Sequence, residues 1–470
     1  MKNIVAVLII SIVLTVFSSC GTANDSFAAY LNDTNHMHQQ AVGSPWEESE
    51  KSLFLQNYVN QNSSIDSVFS DDRLQEFCTP EPERYVNSDQ LAEDVETIFQ
   101  LLKETYGAYY YFGGDQVFNP VKQQILDEIK LLRSDTKIAP STLESLLVAH
   151  LSSIIKDSHF EIGTSRINVG CQLYPYQVPN LYFESPISAY KAYMRPTITP
   201  DGMIKYAFIA TSEDGRDLPK SAIIDQKHVS LDWALMEPYN FSERPYYDTS
   251  NKDGIEIITS RSMLYSSESL DALERFANAG AEYRSNKLLI LDLRGNYGGN
   301  SSYALSWLQN FLGTDFQTKQ MYAQRISTPF SSYVSSPVSL YDSTFSTWVQ
   351  DQQSPWISQI IDGKQQKNNC VLFVLVDKNV ASAAEDFIAW LRTVENVVIV
   401  GTNTSGTSVC GNICCFCLPN SKLMVSFGTS LTFYEGLENR DGIGFYPDLW
   451  VSPSVSLDYV LGLCKQNGLA

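Results

Sequence analysis

The sequence predicts an α/β chain: a C-terminal core of strands alternating with helices, preceded by a small N-terminal helical bundle and a β-rich middle region. Three observations carry this. Leu288–Leu291 and Val371–Val376 are continuous apolar runs bounded by polar residues, the pattern of strands covered on both faces of a sheet. A turn and a helical stripe follow each one: Ser301 to Leu312 after the first, and Ala384, Phe387, Ile388 and Leu391 after the second. Between Asp89 and Ile155 the apolar residues instead fall in three helical stripes with short connections.

Composition sets the frame for these elements. A chain of 470 residues, 44% apolar and 18% charged, is long enough for more than one domain and a sizeable core. Its net charge of -20 argues against nucleic acid as a partner and against attraction to anionic lipid. Residues 1–20 read as a targeting segment: Lys2 is basic, and Ile4–Phe17 is apolar but short for a membrane span. The run ends in Phe17-Ser18-Ser19-Cys20, which resembles a bacterial lipobox. That reading makes 1–20 a lipoprotein signal peptide and Cys20 the acylated residue, with the protein held at the cell envelope, periplasmic or surface-facing, by lipid and not by a helix. An ordinary cleaved signal with Cys20 as bystander is the other reading, and both take the protein out of the cytoplasm.

Residues 21–86, rich in Asn, Ser, Asp and Gln, read as a flexible tether with solvated His36 and His38. Residues 87–164 read as the helical region. Leu91, Val95, Ile98, Phe99 and Leu102 make its first stripe, Asn119-Pro120 reads as a cap and helix-starting proline, and Ser141 to Glu144 fits a capping box. The third helix leads into Asp157-Ser158-His159. Residues 165–285 read as β-rich, with strands at Tyr206–Ala210 and Ile255–Thr259, His228 in a polar loop, and a helix from Ser267 to Tyr283. Whether this region is a domain or a lid stays open.

Residues 286–470 read as the α/β core. After the first buried strand, Gly295, Gly298 and Gly299 allow a tight turn, and no G-x-G-x-x-G dinucleotide fingerprint is present. Val397–Val400 is a further strand, Gly401 to Thr407 a turn, Met424–Phe427 a strand, and a helix starts at Ser456. Beyond Cys20 there are Cys78, Cys171, Cys370, Cys410, Cys414, Cys415, Cys417 and Cys464. The cluster near Cys414 has no C-x-x-C pair and no nearby histidine, so disulfides or free thiols are expected there, and no metal.

Ser382 stands where the second buried strand turns into its helix. Unpaired N–H groups and the helix dipole favour negative charge there, and the N–H of Ala383 is placed to meet an oxyanion beside the hydroxyl. Ser382-Ala-Ala-Glu385 also fits a capping box, in which the serine only closes the helix. Base, orienter and second oxyanion donor decide between the two.

Three motifs, LDLRGNYGG, VASAAEDF with GTNTSG, and GIGFYPD, resemble in order and spacing the C-terminal processing peptidase family. Asp157-Ser158-His159 resembles its tricorn-type branch, which places a helical region before the core. The resemblance spans about Asp89 to Val451, weakly between Gly170 and Leu270. It implies a ClpP/crotonase-like core, Ser382 as nucleophile and His159 as general base. Ser158 and an acid orient the base, the acid being Asp441 with Glu438 as second choice. The lysine of the processing branch is replaced by Thr407, and neither Lys378 nor Lys422 matches it. The oxyanion is expected between the N–H of Ala383 and that of Gly298 or Gly299. The implied activity is that of an exported serine endopeptidase acting on polypeptide substrates through an acyl-enzyme, without cofactor or metal. The alternative is a non-catalytic peptide- or apolar-ligand-binding protein on the same fold, which the 12% aromatic content and the missing lysine favour.

Overall fold

The computed structural model describes residues 23–59, 68–132, 136–167, 171–243, 245–314, 318–325 and 356–469. The targeting segment and Cys20 lie outside the described residues. Six helices come first: α1 (Ala23–Ala41), α2 (Glu48–Leu53), α3 (Asp71–Phe77), α4 (Ser88–Thr105), α5 (Gly114–Lys130) and α6 (Pro140–Leu151). Strands β1 (Glu161–Ile162), β2 (Ser165–Arg166), β3 (Tyr174–Phe183), β4 (Met194–Ile198), β5 (Ile204–Ser212), β6 (Ser221–Ile224), β7 (Lys227–Ser230), β8 (Ala234–Leu235), β9 (Asp248–Lys252) and β10 (Ile255–Thr259) follow. The remainder alternates: α7 (Leu270–Tyr283), β11 (Leu288–Asp292), α8 (Ser302–Leu312), β12 (Gln320–Arg325), β13 (Trp356–Ile361), β14 (Val371–Val376), α9 (Ala383–Leu391), β15 (Val397–Gly401), β16 (Cys410–Cys417), β17 (Met424–Phe433), β18 (Leu449–Trp450) and α10 (Ser456–Gln466).

The α/β core is a six-stranded sheet in the order β18-β15-β14-β11-β10-β9, parallel except for β9. Its central strand β14 is apolar at every position because both faces are covered. Leu372, Val374 and Val376 of β14 pack with Phe276 of α7, Trp307 of α8 and Phe387 of α9. Phe373 and Leu375 point the other way, onto Phe27 of α1 and Val460 and Leu463 of α10.

A second sheet, β13-β12-β17-β1-β2 with β16 also on β17, carries the N-terminal helices. Leu91, Val95, Phe118 and Leu147 join Phe427 and Phe433 of β17 in one core. This packing decides where His159 goes. The chain leaves α6, passes through Asp157-Ser158-His159, and pairs as β1 with β17, Glu161 opposite Ser426 and Ile162 opposite Val425. The middle region holds a separate antiparallel sheet, β4-β5-β3-β8, and the β6–β7 hairpin.

Five expectations need correction. The described parts of the segment 21–86 form no free tether: Phe27, Trp46 and Phe54 are buried, and His38 is buried with Nε2 2.9 Å from Asp448 Oδ1. Apolar side chains spaced among polar ones are enough for it to dock. The expected boundary at 285 moves back to β9, because β9, β10 and α7 belong to the core sheet and its helical layer. Asn119-Pro120 starts no helix. α5 begins at Gly114, and Phe118 stacks on Tyr109 with ring centroids 4.5 Å apart, anchoring the first turns around the proline. Likewise α6 starts at Pro140, so Ser141 lies inside it and caps nothing. His228 is exposed on β7 and not in a loop.

Candidate active site

Ser382 is the residue between β14 and α9, and its backbone is unusual. It has φ 54° and ψ −127°, whereas a helix-capping serine takes extended angles. Strain of this kind in a non-glycine residue persists only where the surroundings impose it. Here Ala381 N–H donates to Asn296 O at 3.0 Å, tying this turn to the glycine turn after β11. Ser382 N–H donates to Glu385 Oε2 at 3.3 Å. Glu385 is buried and also accepts from Thr404 Oγ1 (2.5 Å), Gly406 N–H (2.9 Å) and Thr407 N–H (2.7 Å). The glutamate of the capping box therefore fixes the start of α9 to the Gly401–Thr407 turn.

The imidazole arrives from the other sheet. His159 Nε2 lies 3.0 Å from Ser382 Oγ across 223 positions of sequence. Burial lowers the pKa of His159 from its ordinary value, Asp157 opposes the shift, and Arg166 adds to it. The ring is therefore neutral near pH 7, with Nε2 free to accept the serine proton when Nδ1 carries the ring hydrogen. Nδ1 is buried and without a geometric hydrogen-bond partner among the described residues, and the Cys410 backbone acts on the ring to raise its pKa against the lowering by burial.

The two groups expected to orient the ring do something else. Asp441 Oδ2 accepts from Ser158 N–H at 2.7 Å, and its Oδ1 from Ser408 N–H (2.9 Å) and Val409 N–H (3.0 Å). Ser158 Oγ donates to the Gly406 carbonyl at 2.9 Å. Neither side chain bonds to the imidazole; both hold backbone on either side of it. One methylene shorter than glutamate, Asp441 is engaged by three backbone N–H groups. Burial and the neighbouring Asp157 charge raise its pKa above the ordinary carboxylate range. Glu438 is exposed. Sequence reasoning passed over Asp157, which is buried and accepts from His159 N–H at 2.8 Å and Tyr106 Oη–H at 3.0 Å, setting the backbone of the histidine itself.

Of the expected oxyanion donors, Ala383 and Gly299 keep N–H groups without a partner among the described residues, whereas Gly298 N–H donates to Asn296 Oδ1 at 2.9 Å. The sequence carried a signal for this. An asparagine two residues before a glycine in a turn readily accepts from that glycine's N–H. Gly298 matters for another reason: with φ +89°, any Cβ there would lie 2.5 Å from Ala381 O and 2.8 Å from Ala383 N. Only glycine lets the two turns touch.

The lysines stand aside. Lys378 Nζ donates to the carbonyls of Thr404, Ser405 and Gly442 at 3.0, 3.0 and 3.2 Å, with burial lowering its pKa to about 8. Lys422 pairs with Glu76 and Glu81. Asp292 binds Arg261 and Arg294 at the end of β11. The eight described cysteines are free, and no metal-binding cluster occurs among the described residues. A cavity of about 490 Å³ opens beside Ser382, with Ala383, Gly299, Asp386 and Trp390 in its walls.

Residues 257–451 match the family model described as Peptidase family S41. No curated protein matches the chain. Among solved structures, mature CPAF is similar at 12% identity, covering 81% of this chain and 96% of its own, with a TM-score of 0.43. The photosystem II D1 C-terminal processing protease is similar at 14% identity over 81% and 97%, TM-score 0.39. The tricorn protease is similar at 14% identity over 79% of this chain and 35% of its own, TM-score 0.36.

Proposed function

We propose that the chain, whose residues 257–451 match the model of Peptidase family S41, is a serine-type peptidase in which Ser382 is the nucleophile and His159 the general base in endoproteolysis of polypeptide substrates. The observation that carries this is the 3.0 Å contact between His159 Nε2 and Ser382 Oγ. His159 lies outside the family match, so its role rests on this contact and on its lowered pKa.

In the proposed reaction, Nε2 takes the hydroxyl proton as Oγ bonds to the scissile carbonyl carbon. The negative charge gathers on the carbonyl oxygen, facing the N–H groups of Ala383 and Gly299. As the intermediate collapses, the C–N bond breaks, the imidazolium returns its proton to the leaving amine, and the acyl group stays on Ser382. Water then repeats the sequence, with His159 taking its proton and the serine leaving. Through both steps Nδ1 keeps its hydrogen, and the Cys410 carbonyl is the acceptor at hand to hold that tautomer. Asp441, Ser158 and Asp157 act as positioning residues, through backbone. The same reading keeps Cys20 as a lipid attachment point after export of the mature chain. No helix among the described residues is long and apolar enough to cross a membrane.

A fluorophosphonate probe tests the assignment. We expect Ser382 to be labelled in the wild type, and His159→Ala to lower labelling and proteolysis by about 10⁴-fold or more. A wild-type protein that is inert on denatured proteins and unlabelled at Ser382 overturns it. The binding-protein reading of the same fold then takes its place.

A further inference from the structure

We propose that the cavity beside Ser382 receives the side chain of the residue just before the scissile bond, and that Asp386 in its wall selects lysine or arginine there. The inference rests on Ser382 being the nucleophile. A substrate carbonyl held by the N–H groups of Ala383 and Gly299 sits at the cavity's mouth, since both residues and Ser382 line it. The side chain on the α-carbon next to that carbonyl then has this cavity to enter.

What it meets is a carboxyl group. Asp386 stands four residues after Ser382 on α9, an axial rise of about 6 Å, and lines the same cavity. Among the described lining residues it is the sole acidic side chain, and no lysine, arginine or histidine joins it. The other polar walls are uncharged: glutamines, serines, threonines, Asn412, Tyr322, Tyr434 and Cys410. Asp386 Oδ1 accepts from Tyr434 Oη–H at 2.8 Å, and Oδ2 accepts nothing from the described residues. A half-used carboxylate in a cavity that offers no cation of its own is matched by a cation carried in from outside.

Two further observations point to an occupant. Trp390 and Thr318 both line the cavity and are 7% and 6% exposed, and their Nε1 and Oγ1 atoms are buried without a partner among the described residues. Buried polar atoms are nearly always bonded, which favours a polar occupant beside them. The Trp390 ring also offers an aromatic wall to an ammonium or guanidinium group. Burial pushes the Asp386 carboxyl up to about 7, with Tyr434 opposing and Glu385 adding, a cost that an entering cation relieves.

The experiment has two arms on the full-length protein. In the first, cleavage sites of the wild type in denatured proteins are mapped by mass spectrometry, and kcat/KM is measured on matched peptides with lysine or norleucine before the scissile bond. We expect cleavage to concentrate after lysine and arginine, with a kcat/KM ratio on the order of a hundredfold. In the second, the ratio is measured for Asp386→Asn, and we expect it to fall to about tenfold or less. Because it is a ratio within one preparation, a partial loss of folded enzyme does not affect it. A wild type that labels at Ser382 and cleaves with no preference for a basic residue overturns this inference alone, as does an Asp386→Asn ratio equal to that of the wild type. A wild type that neither labels nor cleaves removes the nucleophile, and this inference with it. Should the variant not fold, the wild-type cleavage map decides.

Discussion

A serine that merely ends a helix has no need of φ 54°. That backbone angle, together with the contact to His159, supports the proposed nucleophile over a simple cap, and neither is written in the residue's neighbours. The S-A-A-E string taken alone read more readily as a cap, and Glu385 proves to serve the turn more than the serine. His159 was legible only through its Asp-Ser-His context. The work of Asp441 was not legible, because a carboxylate's partners depend on which backbone N–H groups reach it, and here Ser158, Ser408 and Val409 reach it first. The residue scale yields a pH prediction. Since burial lowers the His159 pKa, the base is neutral above an ordinary histidine's range and protonated only in more acid solution. The kcat/KM profile is expected to rise with unit slope to a plateau already reached by pH 7, its midpoint below about 6.5. A midpoint at 7.5 or higher contradicts a base in this environment.

Between residue and molecule lie the strand–turn–helix units, where the sequence was most explicit. The β14 and β11 runs were readable because burial on both faces leaves no polar position to confuse the pattern, and β14 matches its expected limits, Val371–Val376. The starts of α5 and α6 were misread from local signals. Asn119-Pro120 and Ser141–Glu144 carry the right residues, but tertiary packing of Phe118 and the proline at Pro140 set the first turns elsewhere. The end of β11 is held by a buried cluster: Asp292 is bound by Arg261 and Arg294, both also buried. Burial alone would raise the Asp292 pKa, but its bonds and charges to Arg294 and Arg261 bring it down to about 2. A carboxylate with a depressed folded-state pKa adds stability above its unfolded pKa near 3.9, and that stability is lost as pH falls toward 2. Asp292→Asn is therefore expected to cost about 3–5 kcal/mol in urea unfolding at pH 7, because two buried guanidinium groups lose their counter-charge. The deficit should shrink as pH falls from about 4 toward 2, where the unfolded carboxylate takes up a proton that the folded Asp292 does not take until near pH 2. A cost under about 1 kcal/mol at pH 7 would mean that the cluster is solvated and not holding the strand.

For the whole molecule, the question is what brings the first half of the chain to the second. Two layers meet at the site: the parallel sheet supplies Ser382, and the sheet carrying the N-terminal helices supplies His159 through β1 on β17. Composition hid part of this scaffold, since residues 21–86 are polar enough to read as a tether. Yet α1 lays Phe27 against Phe373 with ring centroids 5.9 Å apart, and Tyr30 Oη–H donates to the Asp448 carbonyl at 2.9 Å. Trp46 Nε1 donates to the Ile361 carbonyl at 3.0 Å, and Phe54 packs edge-on to Phe433. The segment thus covers the far face of the core sheet and also reaches β13 and β17 of the second. A few large apolar residues do this, spaced too widely to show as a hydrophobic run. Phe27, Trp46 and Phe54 are each buried, and burying a side chain of this size contributes about 2 kcal/mol. Together they amount to about 6 kcal/mol, comparable with the whole stability of many domains. Comparing residues 21–470 with 87–470 by thermal unfolding tests this: the shorter chain is expected to melt at least about 10 °C lower or to be insoluble, with proteolysis falling in step. If both melt within about 2 °C of each other, the segment is a tether after all, and the two layers hold the histidine against the serine without its help.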